Sequence, residues 1–307
     1  MARRQGEREG VHRDRYAGIA ATHIRPSWGS VRLDAVTYDG VQAWTSDLAA
    51  SGLSAASVVK THRVLSMVLA YAVRSRRLAS NPADGVTPPR VTAAEKRYLR
   101  PAQVDDLARA AGPGRLVVLV LAFTGLRWGE LAAMRVSRVD LLRRRIHVAE
   151  SVTEVDGGRL DWGLPKSHEH RWVPVPRFLV DDLAADIAGM APDDPVFTSP
   201  QGAVLRVGGA RRSWFDRAAT TAGLPGLTPH ELRHTAASLA VSAGANVKAV
   251  QRMLGHARAS MTLDVYADLF DDDHEAVAER LDVLARAVGG MRAPGEVAEL
   301  GERRAGR

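Results

Sequence analysis

His230 and Arg233 are the residues whose types and spacing most directly allow chemistry on an anion. They lie in the run Thr228-Pro-His-Glu-Leu-Arg-His, in which Thr228 reads as a helix cap and Pro229 as the first helical position. Residues three apart share one helix face, and the unpaired N–H groups of a helix amino end favour negative charge. A phosphate would fit there, although a capped helix with a polar first turn explains the same residues equally well.

Arg127 and Lys166 are the next candidates. Arg127 follows a Gly turn in Thr-Gly-Leu-Arg-Trp-Gly-Glu, so Glu130, three residues on, can reach back to fix the guanidinium. An ordinary surface salt bridge at a helix start is the alternative. Lys166 is one of only four lysines and lies in a predicted turn between two strands. A solvated hairpin lysine is the alternative there.

His256 and Tyr266 complete the set. His256 follows Leu-Gly, where the Gly is typical of a helix cap, and Tyr266 lies on an amphipathic helix with Met261, Leu263 and Leu269. Taken singly, the His is incidental and the Tyr is core packing. The several histidines lack the acidic ligands that a conventional metal site would require, so we expect no metal.

Hydrophobic periodicity predicts a mainly α-helical fold with a small antiparallel β-sheet. Ser54 is expected to cap a helix that runs to about Arg76. Its predicted apolar face comprises Val58, Val59, Leu65, Val68, Leu69 and Val73. Strands are predicted at 145–149 and 171–176, the second at a sheet edge because of its prolines. Helices are predicted at 101–111, 116–123, 128–134, 177–190, 208–222, 228–243, 246–253, 259–269 and 272–289.

Charge is distributed unevenly along the chain. Residues 1–100 hold 16 Lys and Arg against 8 Asp and Glu, whereas residues 101–307 hold 26 against 27. The basic first part indicates a polyanionic partner, most often nucleic acid, with a solvated basic surface as the alternative. The candidate DNA contacts are Lys60, Arg63, Arg74, Arg76, Arg77, Arg90, Lys96, Arg97 and Arg100. Cysteine is absent, which excludes disulfides and thiolate metal sites, and no membrane span or signal peptide is expected.

Six positions together resemble the active site of the tyrosine recombinase (phage integrase) family. They are Arg127, Lys166, His230, Arg233, His256 and Tyr266. The run HELRHTAASLAVSAGANVKAVQRMLGHARASMTLDVYADL is most similar in pattern to integrases of actinobacterial phages and mobile elements. The resemblance covers about Tyr16 to Leu281. It implies a helical core-binding (SAM-like) domain at 16–81 and a mixed α/β catalytic domain at 101–290. A flexible basic arm at 1–15, a basic linker at 82–100 and a disordered tail at 291–307 complete the expected organisation.

The resemblance also implies a reaction. Tyr266 would attack a phosphodiester to give a 3′-phosphotyrosyl intermediate, while Arg127 and Arg233 hold the phosphate oxygens. His230 would accept the tyrosine proton, Lys166 would protonate the departing 5′-oxygen, and His256 would hydrogen-bond the phosphate. No cofactor is expected, because the bond energy is kept in the phosphotyrosine.

The implied partners are double-stranded DNA attachment sites and a homotetramer on synapsed DNA, with a DNA-bending or excisionase-like protein as a further candidate. A cytoplasmic, nucleoid-associated protein of a bacterial host is expected. About fifteen polar residues precede Tyr16, too few for the arm-binding domain of many phage integrases. The alternatives are simple core sites or a natural start further upstream. Integration or excision of a mobile element is the main expectation. An Xer-like resolvase, a type IB topoisomerase-like enzyme and a non-catalytic DNA-binding protein are the alternatives.

Overall fold

The computed structural model describes residues 16–92, 96–155, 158–165, 170–266, 278–279, 281–283 and 285. The chain divides into two compact units, one formed by residues up to 97 together with 150–163, the other by 98–149 together with residues from 164 onward. The predicted arm at 1–15, Lys166, the tail at 291–307 and most of the predicted helix at 272–289 lie outside the described residues. Within the described residues, no helix has the length and apolarity that a membrane crossing requires.

The described residues of the first unit form short helical turns, two longer helices and one pair of strands. A π-helical turn at Ala20–Ile24 leads into α1 (Arg25–Trp28), and a 3₁₀ turn at Leu33–Ala35 precedes α2 (Tyr38–Ala50) and α3 (Ala55–Arg74). The hydroxyl oxygens of Thr37 and Ser54 accept the backbone N–H groups of Gly40 and Ser57, which confirms Ser54 as a cap. The strand pair, numbered in chain order with the strands below, consists of β3 (Ser151–Glu154) and antiparallel β4 (Leu160–Gly163).

The predicted apolar face of α3 is partly wrong. Val58, Leu65 and Leu69 are buried as expected, but Val59 and Val68 are 36% and 50% exposed. The side chains buried with the first three are Thr61, Val64 and Ala72. Positions 58, 61, 65, 69 and 72 follow one another at spacings of three or four, so they form one stripe, whereas 59 and 68 fall beside it.

Part of the predicted linker packs on the first unit. Ala83 and Val86 are buried in its hydrophobic core with Val41, Trp44 and Leu65. The side chain of Gln42 exchanges two hydrogen bonds with the backbone of Thr87. The ordered contacts of the helical unit therefore extend past residue 81.

The second unit is mainly helical. Its helices are α4 (Pro101–Ala110), α5 (Arg115–Thr124), α6 (Trp128–Ala132), α7 (Val180–Asp186), α8 (Val207–Ala210), α9 (Asp216–Thr221), α10 (Pro229–Ser242), α11 (Val247–Leu254) and α12 (Ala259–Tyr266). Short 3₁₀ turns lie at Gly112–Gly114, Val136–Arg138 and Arg177–Leu179, and a π-helical turn at Arg211–Phe215 joins α8 to α9. The helix predicted at 177–190 is shorter than expected, because its first turn is 3₁₀ and Gly189 has a φ of +78°.

A three-stranded antiparallel sheet lies beside these helices. Its order is β1 (Val139–Asp140), β2 (Arg145–Val148) and β5 (Arg171–Pro174), so β5 is an edge strand as its prolines predict. Ile146 and Val148 on β2 point into the hydrophobic core with Val173. The alternate residues of the strand, Arg145 and His147, face the opposite side.

Helices α5 and α10 form the centre of the second unit. Residues Val117 to Ala122 of α5 are all buried, and Leu232, Ala236, Ala237 and Val241 of α10 are buried in the same core cluster. This packing fixes the carboxyl end of α5, which leads through Gly125 to Arg127 at the start of α6, and the amino end of α10, which carries Arg233.

Candidate active site

Arg127 lies at the start of α6, where Glu130 holds it in place. One Glu130 carboxylate oxygen accepts the backbone N–H of Arg127 at 2.9 Å, and the other accepts Nη1 of the same residue at 2.8 Å. The preceding Gly125 has a φ of +66°, a conformation that closes α5 and turns the chain into α6. The Arg127–Glu130 contact predicted from their spacing is therefore present.

Glu130 has a second and more buried partner, Arg171, which the sequence did not predict. Arg171 of β5 donates from Nη1 and Nη2 to both carboxylate oxygens at 3.0 and 2.7 Å, and from Nε to the carbonyl of Met253. The Glu130 side chain is fully buried and that of Arg171 is 8% exposed. Burial alone would raise the pKa of Glu130, but the hydrogen bonds and charge of Arg171, with the charge of Arg127, hold it below its ordinary value.

Arg233 lies in the first turns of α10. The Thr228 backbone and hydroxyl both donate to Glu231 Oε2, which closes the capping box at this end. Arg233 is buried, and its Nη1 and Nη2 atoms donate to the carbonyls of Gly125 and Leu254. Burial, reinforced by the charge of Arg127, lowers the pKa of Arg233 to about 9, so it stays protonated at neutral pH.

Tyr266, at the end of α12, is only 1% exposed. Its hydroxyl lies 2.9 Å from Nδ1 of His234, the residue that follows Arg233. The ring of His256 lies parallel to the phenol at a centroid distance of 6.4 Å, and that of Tyr98 lies 6.5 Å away. Burial raises the pKa of Tyr266 to about 12, against the charges of Arg233 and Arg127, so the phenol is neutral at physiological pH.

His256 follows the left-handed Gly255 that ends α11. Its Nδ1 lies 2.9 Å from the hydroxyl of Thr262. Burial, followed by the charges of Arg233, Arg127 and Arg171, lowers the pKa of His256 to about 4. This imidazole is therefore neutral at physiological pH.

The remaining predicted site residues are His230 and Lys166. His230 is exposed in the first turn of α10, with its ring perpendicular to that of His234 at 5.1 Å. Lys166 lies outside the described residues, so its predicted role stays a prediction. Neither His234 nor Arg171 was among the predicted site residues, and both contact a residue that was.

Three arginines surround one carboxylate in this site. The charges of Arg127 and Arg171 stabilise the Glu130 carboxylate and also repel the charge of Arg233. Positive charge therefore exceeds negative charge around this one acidic group. Arg127 has the most exposed side chain of the Arg127–Glu130–Arg171 set, at 23%. Such a centre suits a phosphodiester, which brings the missing negative charge and accepts several N–H donors. Within the described residues, no cluster of three His, Asp or Glu side chains is arranged to hold a metal ion.

The predicted DNA contacts lie on the surface. Lys60, Arg63 and Arg74 are exposed along α3, and Arg76 and Arg77 are exposed just after it. Arg90, Lys96 and Arg100 are also exposed, whereas Arg97 is half-buried. Arg100 belongs to the second unit, where its backbone N–H donates to the side chain of Gln103 at the start of α4.

Residues 97–273 match the model of the phage integrase family. The tyrosine recombinase XerC of Mycobacterium sp. strain KMS is 29% identical over 250 residues, covering 75% of this chain and 78% of that protein. XerC of Mycobacterium tuberculosis strain H37Ra is 28% identical over the same length and the same shares of each chain.

Solved structures share the fold. The Tn1549 transposon integrase in complex with transposon right end DNA superposes with a TM-score of 0.69 at 23% identity, covering 92% of this chain and 94% of that one. A lambda integrase tetramer bound to a Holliday junction gives a TM-score of 0.61 at 21% identity, covering 82% and 70%.

Proposed function

The chain belongs to the phage integrase family, and from this premise we propose that it is a site-specific DNA recombinase acting through Tyr266. It cuts one DNA strand at a time and joins the 3′ end to the tyrosine. It then transfers that end to a new 5′-hydroxyl, which integrates or excises a mobile element. The catalytic set is Arg127, Lys166, His230, Arg233, His256 and Tyr266, with Glu130 in support.

One observation carries the proposal. The hydroxyl of Tyr266 meets a histidine at 2.9 Å, and that histidine is adjacent in sequence to the buried Arg233. The charges of Arg233 and Arg127 both act on the phenol. A phenol, an imidazole and two guanidinium groups are thus close together on elements far apart in the chain, and this grouping supports the proposed phosphoryl transfer.

The chemistry follows from these groups. The phenol oxygen of Tyr266 forms a bond to phosphorus and its proton passes to His230, while the bond from phosphorus to the 5′-oxygen breaks. Lys166 supplies a proton to that leaving oxygen, and the arginines stabilise the charge that builds on the non-bridging oxygens. The neutral His256 donates a hydrogen bond to the phosphate. Rejoining reverses the same steps with another 5′-hydroxyl as the attacking group.

The proposal includes an assembly and a set of partners. Four copies act on two synapsed double-stranded attachment sites, and a DNA-bending or excisionase-like protein sets the direction. The lambda integrase tetramer on a Holliday junction, which shares the fold, supports this arrangement. Chromosomal or phage DNA as the substrate associates the protein with the bacterial nucleoid, and integration of a viral genome is the corresponding biological outcome.

A second candidate function is resolution, in which recombination between two repeated sites splits one DNA circle into two. The similarity to XerC favours it. A plasmid assay separates the two candidates. A plasmid that carries two copies of one flanking site in direct repeat will split into two circles if the enzyme is a resolvase. An integrase will instead join two different attachment sites on separate molecules.

Covalent trapping tests the proposed function. Duplexes from the DNA flanking the gene, nicked near each candidate cleavage position, lose a short fragment after cleavage and trap the covalent complex. We expect a protein–DNA adduct on a denaturing gel with the natural protein and with Tyr98→Phe, a matched change beside the site. Tyr266→Phe is expected to bind the same DNA and form no adduct. An adduct of undiminished yield with Tyr266→Phe contradicts the assignment.

A further inference from the structure

One ring nitrogen of His256, the imidazole that the proposed mechanism uses to bind the phosphate, is already engaged. Its Nδ1 lies 2.9 Å from Oγ1 of Thr262, a residue of α12. Thr262 is fully buried, at 0% exposure, so its hydroxyl is shielded from water. A hydroxyl buried in this way needs a hydrogen-bond partner, and Nδ1 of His256 is such a partner.

The backbone of His256 is held as well as its ring. Its N–H donates to the carbonyl of Gln251 at 3.1 Å, and its own carbonyl accepts Nε2 of Gln251 at 3.0 Å. Gln251 is itself buried, and its Oε1 accepts Nζ of Lys248 at 2.9 Å. Contacts from α11 thus fix the main chain of His256, while Thr262 fixes the ring from α12.

This arrangement leaves one nitrogen of His256 for the DNA. A neutral imidazole carries a single ring proton, so it donates from one nitrogen and accepts at the other. An ionised phosphodiester only accepts hydrogen bonds, and therefore Nε2 must carry the proton if His256 is to bind it. Nδ1 then accepts, and the Thr262 hydroxyl is the donor. Burial and the nearby arginine charges lower the pKa of His256 to about 4, so no second proton relaxes this requirement at physiological pH.

The helix that carries Thr262 also carries the nucleophile. Thr262 and Tyr266 are four residues apart on α12, so they lie on one face of that helix. Both side chains are buried, and the ring of His256 lies parallel to the phenol at a centroid distance of 6.4 Å. Any shift of α12 therefore moves the phenol and the group that holds His256 together, which keeps the two in register.

We propose that Thr262 is a positioning residue, whose hydroxyl donates to Nδ1 of His256 and so presents Nε2–H to the phosphate. Thr262 acts through His256 and does not itself touch the reacting atoms. This inference rests on the proposed function, because it assigns the orientation of a residue that the proposed reaction uses.

Three variants test the role of the hydroxyl. Thr262→Val keeps the shape and removes the donor, and we expect single-turnover cleavage of a nicked substrate to fall by about 10–100-fold, as when the hydrogen bond that orients a metal-ligand histidine is lost. Thr262→Ser keeps the donor and lacks only a methyl group, so it should cleave within about threefold of the natural rate. Thr45→Val is the matched control, because Thr45 is a buried threonine of the first unit whose hydroxyl donates to the carbonyl of Gln42. It should cleave at the natural rate. Unfolding temperature and DNA affinity are measured alongside.

A double variant separates positioning of His256 from simple packing. A residue that acts only through His256 has no further effect once that imidazole is gone. We therefore expect Thr262→Val combined with His256→Asn to cleave as fast as His256→Asn alone. If Thr262 only supports the surrounding fold, Thr262→Val will slow both backgrounds by the same factor.

The position of the ring proton can be measured without any DNA. NMR spectra of the whole protein labelled with nitrogen-15 histidine, recorded at neutral pH, distinguish protonated from unprotonated ring nitrogens. The signals of His256 are identified by their loss in His256→Asn. We expect a protonated Nε2 and an unprotonated Nδ1.

Each outcome has a defined meaning. Cleavage by Thr262→Val within about threefold of the natural rate overturns the inference, because the loss of an orienting hydrogen bond costs more than that. Thr262→Ser as slow as Thr262→Val, or equal losses in the two backgrounds, also overturns it. A protonated Nδ1 in the natural protein does so as well, and this measurement holds even if Thr262→Val does not fold. If the natural protein forms no adduct on any flanking DNA, the proposed function itself fails, which is a different result.

Discussion

Glu130 is bound on both carboxylate oxygens by Arg171, a residue 41 positions later in the chain, at 2.7 and 3.0 Å. The same carboxylate holds Arg127 at the start of α6. Arg171 is anchored in turn to the carbonyl of Met253 near the end of α11. One buried acid thus joins α6, β5 and α11, and it fixes the position of an arginine expected to touch the DNA phosphate.

Glu130→Gln should therefore destabilise the second unit strongly. The change leaves the nearly buried Arg171 without its counter-charge, and removing one partner of a buried ion pair typically costs about 3–5 kcal/mol. The free energy of unfolding, measured by urea denaturation, checks the value. Asp182→Asn is the matched control, because Asp182 pairs with Arg115 at 2.7 Å where both side chains are more than a third exposed. We expect it to cost less than about 1 kcal/mol. Equal losses in the two variants would show that Glu130 does not hold the site together.

Gly125→Ala should lower the stability of the fold more than Gly223→Ala, the same substitution at another turn. Gly125 has a φ of +66°, and an added Cβ would lie 2.6 Å from Cδ2 of Leu254 and 3.2 Å from Cβ of Ala236. Gly223 has a similar φ of +72° but open space around it, so Gly223→Ala measures the backbone strain alone. We expect Gly223→Ala to cost about 1 kcal/mol and Gly125→Ala about 1–3 kcal/mol more, by thermal unfolding. Indistinguishable unfolding temperatures would contradict the tight packing at this turn.

The pH dependence of stability should report on His256. Its pKa of about 4 in the folded protein lies below the ordinary value of 6.5, so the unfolded chain binds the extra proton first as pH falls. Stability associated with the neutral His256 is complete above about pH 6.5 and is lost progressively towards pH 4. We expect His256→Asn to flatten the fall in unfolding free energy between about pH 7.5 and 5, where most carboxylates stay ionised. The free energy of unfolding of each protein is compared with its own value at pH 8, which removes the pH-independent cost of the substitution. An unchanged slope would contradict the neutral state of His256.

Salt should weaken DNA binding steeply if the basic surface of the first unit follows phosphates. We expect affinity to fall sharply between about 50 and 200 mM salt, and Arg74→Gln to reduce the logarithmic slope by about 0.9. Arg32→Gln is the control, because Arg32 is paired with Asp34 at 2.7 Å. A flat response, or equal effects of the two variants, would mean that the exposed cations are only a solvated surface.

Local features of the site were predictable from the sequence because their partners are close in the chain. The Arg127–Glu130 contact spans three residues, as does the capping box of Thr228 and Glu231. Helix spacing and capping preferences act over this range, so residue types alone are informative. The edge position of β5 also followed from its prolines.

Long-range partners were not predictable in the same way. The contacts Glu130–Arg171 and His234–Tyr266 span 41 and 32 residues, and neither element's periodicity identifies its neighbour. Arg171 read as a polar residue of an edge strand, and His234 was hidden beside the more suggestive His230. His234 follows His230 by four positions and shares its helix face, and this spacing is the signal that could have identified it. Val59 and Val68 were wrongly predicted to be buried, because the buried stripe of α3 includes the polar Thr61.

The most direct test of the account is identification of the residue that carries the DNA. The adduct trapped on a nicked substrate is digested with protease and nuclease, and the peptide that retains a nucleotide is sequenced by mass spectrometry. We predict a nucleotide on Tyr266 alone. A nucleotide on Tyr98, the phenol 6.5 Å away, or on a serine would contradict the central claim that Tyr266 is the nucleophile.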